Sequence, residues 1–184
     1  MPGLSHQYLT DVAFEWLKDY RECLCVSQEL GNWREIPDAI GFKFNNSILV
    51  EVKVSRSDFF ADRHKYVRKN PKYGMGRERW YLTPKGMVKP EEVPDGWGLI
   101  EHRFSCHDRG FYLKELVKAK RRPLGREAFR KENELLIKIA WFAAEANGAI
   151  AKVGFAQPII FEREYENHEN IRTVVRRRTL LETG

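Results

Sequence analysis

Residues 37–54 read PDAIGFKFNNSILVEVKV and set the plan of the domain. Two apolar runs flank the Asn45-Asn46 pair, which is a polar turn signal, so the segment predicts two antiparallel strands joined as a hairpin. Side chains alternate between the two faces of a strand. In the second run the valines can therefore face a core, while Glu51 and Lys53 lie side by side on the opposite face.

Asp38 precedes Glu51 by thirteen residues and directly follows Pro37. The predicted hairpin folds its strand back beside Glu51, so the two carboxylates are expected to meet near the amine of Lys53. Carboxylates, a backbone carbonyl such as that of Val52, water and a phosphate make the oxygen-rich shell that Mg²⁺ prefers. These residues predict metal-dependent hydrolysis of phosphodiester bonds, in which the lysine steers or deprotonates the attacking water.

A lone Glu-x-Lys on an exposed edge strand has no such meaning, so the interpretation depends on the surrounding elements. A helix with an apolar stripe and a Ser5 cap is predicted over Ser5–Tyr20. A capping box at Ser55-Arg56-Ser57-Asp58 opens a second helix that reaches Lys69. The predicted strands are Leu24–Leu30, Ile36–Lys43, Ile48–Val54, Trp80–Thr83 and Gly98–His102. The order αβββαβ predicts an α/β fold with a mixed sheet flanked by helices.

The composition changes after residue 110. Residues 1–110 are predicted to form the core, and residues 111–184 a basic, mainly helical C-terminal appendage with one long amphipathic helix over Arg126–Ala146. The appendage carries 15 Lys and Arg against 10 Asp and Glu, which is most of the net charge of +6. Its long helix could supply the surface of a homodimer.

Bulk properties limit the classes of protein. With 42% apolar residues the 184-residue chain can bury a core, and a sequence pI near 9.2 favours a polyanionic partner. Three cysteines, Cys23, Cys25 and Cys106, have no repeated ligand spacing and are expected to be reduced thiols. The sequence has neither a membrane-spanning apolar run nor a signal-like N-terminus, so we expect a cytoplasmic protein that does not associate with a membrane.

Pro37-Asp38 followed by Glu51-Val52-Lys53, in an αβββαβ order, resembles the PD-(D/E)xK nuclease superfamily. The run from Glu51 to Lys65, with residues 79–84 and 96–101, is similar to a phage and bacterial branch near the MmcB-like DNA-repair proteins. The resemblance spans residues 5–101. It implies a restriction-endonuclease-like fold and Mg²⁺- or Mn²⁺-dependent endonucleolytic cleavage of DNA in repair, recombination or phage DNA processing.

The resemblance carries the catalytic roles onto Asp38, Glu51 and Lys53, and the metal-ligand roles onto Asp38, Glu51 and the Val52 carbonyl. Many members also place a glutamate on the first helix facing the metal. Glu15 here projects away from the apolar stripe, which leaves His6 at the helix start and Glu29 at the end of the first strand as candidate replacements. The alternative interpretation is that His6 is a surface histidine and Glu29 a strand-end carboxylate, both solvated and without a role in the site.

The helix after Glu-x-Lys often faces the same cleft in the resembling family, which brings Lys65 and Tyr66 into consideration; a solvated helix face is the alternative. Basic residues on this helix and the following loop are predicted to contact the phosphates of DNA. They are Arg56, Arg63, Arg68, Lys69, Lys72, Arg77 and Arg79. We interpret Gly74-Met75-Gly76 as a flexible connection. The alternative function is a catalytically inactive nucleic-acid-binding module with the same fold.

Overall fold

A six-stranded mixed sheet organises the structure, a computed structural model that describes residues 4–30, 35–104, 110–146, 160–167 and 170–176. The strands lie side by side in chain order: β1 (Cys25–Gln28), β2 (Ala39–Lys43), β3 (Asn46–Val52), β4 (Glu78–Pro84), β5 (Trp97–Phe104) and β6 (Phe111–Val117). The helices are α1 (His6–Glu15), α2 (Arg56–Asp62), α3 (Tyr66–Lys69) and α4 (Arg126–Ala146). Strands β3, β4 and β5 are parallel, and the other neighbouring pairs are antiparallel. The predicted mixed α/β fold is confirmed.

The predicted hairpin is formed by β2 and β3, whose register pairs Ala39 with Val50 and Lys43 with Asn46. The turn residues are Phe44 and Asn45, one position earlier than the Asn45-Asn46 pair indicated. Asn45 has a φ of 58°, a left-handed conformation that asparagine adopts at lower cost than most residues. Asn46 is therefore free to begin β3.

One face of the sheet packs against α1, which is prolonged by a π-helical turn over Trp16–Tyr20. Ser5 caps the helix as predicted, since its Oγ accepts a hydrogen bond from the Tyr8 N–H at 3.1 Å. The core joins apolar side chains of both layers: Leu9, Val12, Ala13, Trp16, Leu17, Val50, Val52, Trp80, Leu82 and Ile100. Val54, expected to share this face, lies beyond the end of β3 and is 37% exposed. Val50 and Val52 therefore pack in the core, and Val54 does not.

The second predicted helix is divided into α2 and α3. Ser55 caps α2 as expected, because its Oγ accepts from the Asp58 N–H at 3.2 Å. Lys65 then adopts an extended backbone, with φ −57° and ψ 141°, which ends one helix and begins the next. The break turns the Lys65 ammonium back towards the sheet, where it reaches the Asp62 carboxylate at 2.9 Å. Helical propensity gives no sign of this ionic contact.

The chain divides into two compact units, Met1–Leu135 and Leu136–Gly184, whereas the sequence placed a boundary at residue 110. Residues past 110 complete the sheet, because β6 pairs with β5. Helix α4 has the predicted bounds. The second unit also contains an antiparallel hairpin of β7 (Ile160–Asn167) and β8 (Asn170–Arg176), which the mainly helical prediction for residues 111–184 did not include.

Two expectations from composition concerned the oxidation state of the cysteines and the presence of a membrane-spanning segment. Cys23 and Cys25 are free thiols, as predicted. Cys106 lies outside the described residues. Within the described ranges, no helix has the length and apolar character needed to cross a membrane.

The segment after α3 is held by buried polar contacts, so its interpretation as a flexible connection was wrong. Met75 is fully buried. Glu132 of α4 accepts hydrogen bonds from the Gly76 N–H at 2.8 Å and from the Ser47 hydroxyl at 2.9 Å. Gly76 has a φ of 82°, and a Cβ added there would lie 2.7 Å from the Leu49 Cβ. Glycine therefore serves close packing at this position, not mobility.

We expect Glu132→Ala to lower the free energy of unfolding by about 1–3 kcal/mol, because two buried donors lose their acceptor. Urea unfolding followed by circular dichroism measures the change. Glu134→Ala is the matched control, since Glu134 lies on the same helix but its half-exposed side chain pairs, among the residues that the structure describes, with Arg130 alone, at 3.3 Å. The control should change stability by less than about 0.5 kcal/mol. If the two substitutions had equal effects, the buried hydrogen bonds of Glu132 would not be a source of stability.

Candidate active site

Glu51 lies on the face of the sheet opposite α1, because Val50 and Val52 on either side of it pack in the core with that helix, and Asp38 lies beside Glu51 at the end of the hairpin. Asp38 directly precedes β2, and extending the β2–β3 register by one residue sets it opposite Glu51. The Val52 N–H donates to Asp38 Oδ2 at 2.6 Å, which fixes the carboxylate at the end of β3. Burial, followed by the negative charge of Glu51, raises the pKa of Asp38 above its ordinary value. The two acids are therefore close enough to repel each other, as the sequence predicted.

Lys53 directly follows β3, and its side chain is only 4% exposed. Its Nζ lies 3.5 Å from Glu51 Oε2, 3.5 Å from Asp62 Oδ1 and 3.6 Å from Asp58 Oδ2. A buried ammonium is costly without such partners. The structure thus brings Lys53 beside Glu51, as expected from the alternation of side chains along the strand, and adds two aspartates from α2.

Asp62 is the centre of an ionic network that the sequence did not predict. Its fully buried side chain accepts from Arg68 Nε at 2.6 Å and from the Tyr81 hydroxyl at 2.7 Å, and Lys65 Nζ lies 2.9 Å away. Burial alone would raise its pKa, but the Arg68 guanidinium and these hydrogen bonds outweigh burial and hold the pKa of Asp62 well below its usual range. Asp62 is ionised, and it helps to orient the basic side chains beside Glu51.

Glu51 is enclosed by cations on both of its oxygens. Arg68 lies 2.9 Å from Oε1, and Lys65 lies 3.1 Å from Oε2. Burial opposes the positive charge of Lys65, yet Glu51 and Asp62 raise the pKa of this ammonium well above its usual value. Lys65, considered from the sequence as an additional site residue, therefore directly contacts the candidate catalytic glutamate. Its side chain is 47% exposed, so it also reaches solvent.

Arg68 and Arg79, predicted to contact DNA phosphates, are buried instead. The Arg68 side chain is 6% exposed and pairs with Glu51, Asp62 and, at 3.1 Å, Glu35. Arg79 is 8% exposed and lies over the Trp97 ring, 4.9 Å from its centroid. Burial and the neighbouring Arg122 and Arg68 lower the pKa of Arg79 to about 10. The sequence shows only a run of basic residues in this segment, and it gives no sign that these two arginines are buried.

The other predicted phosphate contacts have different surroundings. Arg56 is exposed but pairs with Glu92 at 2.5 Å, and Arg63 lies over the Phe60 ring. Lys69 and Lys72 are exposed, and Arg77 is half-buried. Arg63, Lys69 and Lys72 are exposed and have no ion pair within the described part of the chain, which leaves them suited to bind a phosphate backbone.

The candidate replacements on the first helix and strand behave differently from each other. His6 Nε2 lies 3.4 Å from Asp38 Oδ1, so α1 does supply a contact to this carboxylate. Glu29 is exposed, with a φ of 48°, and only its backbone N–H reaches Asp38, donating to the carbonyl oxygen at 3.1 Å. Glu15 pairs with Lys18 at 3.8 Å. The structure thus places His6, rather than either glutamate side chain, beside Asp38.

Asp38 and Glu51 are the acids that would hold a divalent cation. The raised pKa of Asp38 reports two partly desolvated carboxylates that repel, and a bound cation would relieve this repulsion. Mg²⁺ is commonly held by one or two carboxylates and keeps several waters, so this donor set fits Mg²⁺ or Mn²⁺. Within the described ranges no group of three or more His, Cys, Asp or Glu side chains is arranged to hold a metal. Water, substrate oxygens and the Val52 carbonyl would complete the coordination shell.

Four residues of this cluster, Asp58, Asp62, Glu35 and Tyr81, were not predicted from the sequence. Asp62 precedes Lys65 by three residues, a helical spacing at which charges can meet, but Arg68 lies six residues on, which an unbroken helix would place on a different side. Glu35 lies three residues before Asp38 and accepts from the Met75 N–H at 2.8 Å. Tyr81 comes from the neighbouring strand β4. Only the folded sheet shows that these last two residues belong to the cluster.

Comparisons with known proteins support the fold but not an activity. No protein-family model matches the chain, and no curated protein matches it. Among solved structures, the chain is similar to the SPO1766 protein of unknown function from Silicibacter pomeroyi, with a TM-score of 0.56 and 17% sequence identity. The match covers 85% of this chain and 100% of that chain. At this identity the likeness indicates a shared fold.

Proposed function

We propose that the protein is an Mg²⁺- or Mn²⁺-dependent endonuclease that hydrolyses DNA phosphodiester bonds in repair, recombination or phage DNA processing. One observation carries the proposal. Asp38, Glu51 and Lys53 converge at the end of β3, with the Lys53 Nζ 3.5 Å from Glu51 and the Asp38 carboxylate bound to the Val52 N–H. The resemblance of Pro37-Asp38 and Glu51-Val52-Lys53 to the PD-(D/E)xK nucleases supports the same assignment.

When bound, the divalent cation supplies Lewis-acid activation of water and offsets charge on the phosphate. The chain's own groups then have separate tasks. Asp38 and Glu51 bind and orient the cation from the rigid end of β3. Lys53, held by Glu51 and Asp62, presents its ammonium where it can steer the attacking water or donate to a phosphate oxygen. Lys65 is half-exposed beside Glu51 and can neutralise a phosphate that enters the site.

A second candidate function, a nucleic-acid-binding module without activity, rests on a different observation. Both oxygens of Glu51 already have cationic partners, Arg68 on Oε1 and Lys65 on Oε2. A carboxylate neutralised in this way can remain buried without a metal ion. This function predicts salt-dependent binding of DNA that is indifferent to Mg²⁺, whereas in a nuclease a cation would compete with these basic side chains for Glu51.

A panel of DNA structures incubated with and without Mg²⁺ separates the two candidates. The panel contains single strands, a blunt duplex, a flap and a four-way junction, and Glu51→Gln is the control protein because glutamine keeps the volume of the side chain. The nuclease proposal expects Mg²⁺-dependent products from at least one structure, and none with Glu51→Gln or with a chelator. Binding of the panel without products under any metal would favour the inactive module.

A further inference from the structure

Beside the candidate active site lies an aromatic pair, Tyr66 and Tyr73, that no catalytic role explains. Tyr66 begins α3, directly after Lys65, whose ammonium contacts Glu51. Its ring stacks on Tyr73, with centroids 5.7 Å apart and an interplanar angle of 26°. Tyr66 is nevertheless 54% exposed. A large aromatic side chain is therefore exposed on the residue that directly follows a lysine in contact with Glu51.

The backbone that carries Tyr73 is held by contacts with α4 and the segment before it. The Tyr73 carbonyl accepts a hydrogen bond from Lys131 Nζ of α4 at 2.7 Å, and Arg122 donates to the Pro71 carbonyl at 2.7 Å. Lys72, between them, has its carbonyl oxygen only 2.5 Å from where a Cβ on Gly125 would lie. A platform fixed in this way loses little conformational entropy when a planar group stacks on it.

Three lysines lie close to the two tyrosines in the sequence. Lys72 Nζ lies 5.0 Å from the Tyr73 ring centroid, and Lys69 is exposed at the end of α3. Lys65, whose ammonium pairs with Glu51 and Asp62, is half-exposed, and we call these three residues the lysine rim. Basic side chains that follow a phosphate backbone, together with aromatic rings that stack on bases, characterise proteins that bind single-stranded nucleic acid. Bases of an intact duplex are already stacked, so only an unpaired base can use the platform.

We propose that Tyr66, backed by Tyr73, stacks on an unpaired base of DNA and so directs the site towards single-stranded or locally unpaired substrates. This inference deepens the proposed function, on which it rests for the identity of the ligand as DNA. The lysine rim binds the backbone of either form, while the exposed ring of Tyr66 distinguishes unpaired from paired bases. Specificity for the structure of the DNA, rather than for its sequence, follows from this arrangement.

The test measures DNA binding by fluorescence anisotropy in the presence of a chelator, with an oligonucleotide as single strand and as blunt duplex. We expect Tyr66→Ala to weaken single-strand binding about tenfold and duplex binding less than about twofold. Tyr66→Phe, which keeps the ring, should bind both forms as the parent does. The salt dependence of Tyr66→Ala should match the parent, since no charge is lost, whereas Lys69→Ala should reduce it by about one charge.

Tyr20→Ala is the matched control. Tyr20 is 68% exposed and stacks on Trp16. Both residues lie in the π-helical turn that continues α1, and α1 packs on the face of the sheet opposite Glu51. Its loss should leave binding of both DNA forms unchanged. A second readout needs no variant: a single strand carrying 2-aminopurine should show quenched fluorescence on binding to the parent protein, because stacking on tyrosine quenches this base. Unquenched fluorescence, or equal losses of single-strand and duplex binding in Tyr66→Ala, would overturn the platform.

The outcomes separate this inference from the nuclease proposal. Because binding is measured in a chelator, a protein that binds but never cuts DNA still tests the platform. If Mg²⁺-dependent cutting is found but Tyr66→Ala binds single strands as the parent does, the platform alone is wrong. If neither form of DNA binds at any salt concentration, the inference and the assignment of DNA as ligand are both overturned.

Discussion

Lys53→Met should reduce Mg²⁺-dependent DNA cleavage by about 10²–10⁴-fold while leaving the fold and DNA binding intact. The fold should survive because both buried carboxylate partners of Lys53 keep other cations when the amine is removed. Glu51 keeps Arg68 and Lys65 as partners, and Asp62 keeps the same two cations. Methionine fills the volume of the lysine stem without adding a charge.

Single-turnover rates on the preferred DNA structure measure this effect, and melting temperatures report on the fold. Lys18→Met is the control, because Lys18 is partly exposed and pairs with Glu15 and Asp19 on the other side of the sheet. It should cleave at the parental rate. A Lys53→Met protein that cleaves within about threefold of the parent would refute a catalytic role for the amine, since even one lost proton transfer costs more than that.

Asp62→Ala should produce the largest loss of stability, about 3–5 kcal/mol in the free energy of unfolding. The substitution removes a buried carboxylate and leaves the buried side chains of Arg68 and Lys53 without one of their partners. It also removes the acceptor of the Tyr81 hydroxyl, which donates to Asp62 at 2.7 Å. Asp58→Ala is the matched control, because Asp58 also pairs with Lys53 but its side chain is 47% exposed.

Urea unfolding at neutral pH measures both variants, and the control should lose less than about 1 kcal/mol. If the two aspartates proved equally costly to remove, burial of the network would not be the source of its stability. If Asp62→Ala proved as stable as the parent, the arginine and lysines of α2 and α3 would have to find other partners, contrary to the geometry of the site.

The contribution of Asp62 should also depend on pH in a defined direction. Its pKa is held below the ordinary value of about 3.9 by Arg68, so the unfolded chain binds this proton more readily than the folded one. The stabilisation is therefore complete above about pH 5 and is lost as the pH falls below about 4. The difference in unfolding free energy between the parent and Asp62→Asn should therefore become smaller as the pH is lowered below about 4. A difference that widened towards acid pH would show that the sign is wrong.

The hairpin and the placement of Glu51 and Lys53 could be read from the sequence because they follow from local rules. Alternation along β3 fixes which side chains share a face, and the turn after Lys43 brings Asp38 opposite Glu51. The shift of the turn by one position moves the register by two residues, which keeps every side chain on its predicted face and sets Asp38 opposite Glu51. The α/β order was predictable for the same reason, because each element carries its own periodicity and cap.

The ionic network was not predictable, because its members meet only through tertiary structure. Arg68 and Arg79 are indistinguishable in sequence from exposed basic residues, and Glu35 precedes the hairpin without any motif of its own. The break at Lys65 likewise serves contacts with Glu51 and Asp62 that a helical pattern does not encode. The strand β6 was assigned to an appendage because its composition changes, although its backbone completes the sheet.

Binding of Mn²⁺ to the free protein, followed by electron paramagnetic resonance, tests most directly whether Asp38 and Glu51 form a cation site. The parent should bind one Mn²⁺ per chain in competition with Mg²⁺, and Asp38→Asn should lose that binding while keeping its melting temperature. Failure of the parent to bind Mn²⁺ at millimolar concentration, or undiminished binding by Asp38→Asn, would contradict a metal-dependent nuclease built on these residues.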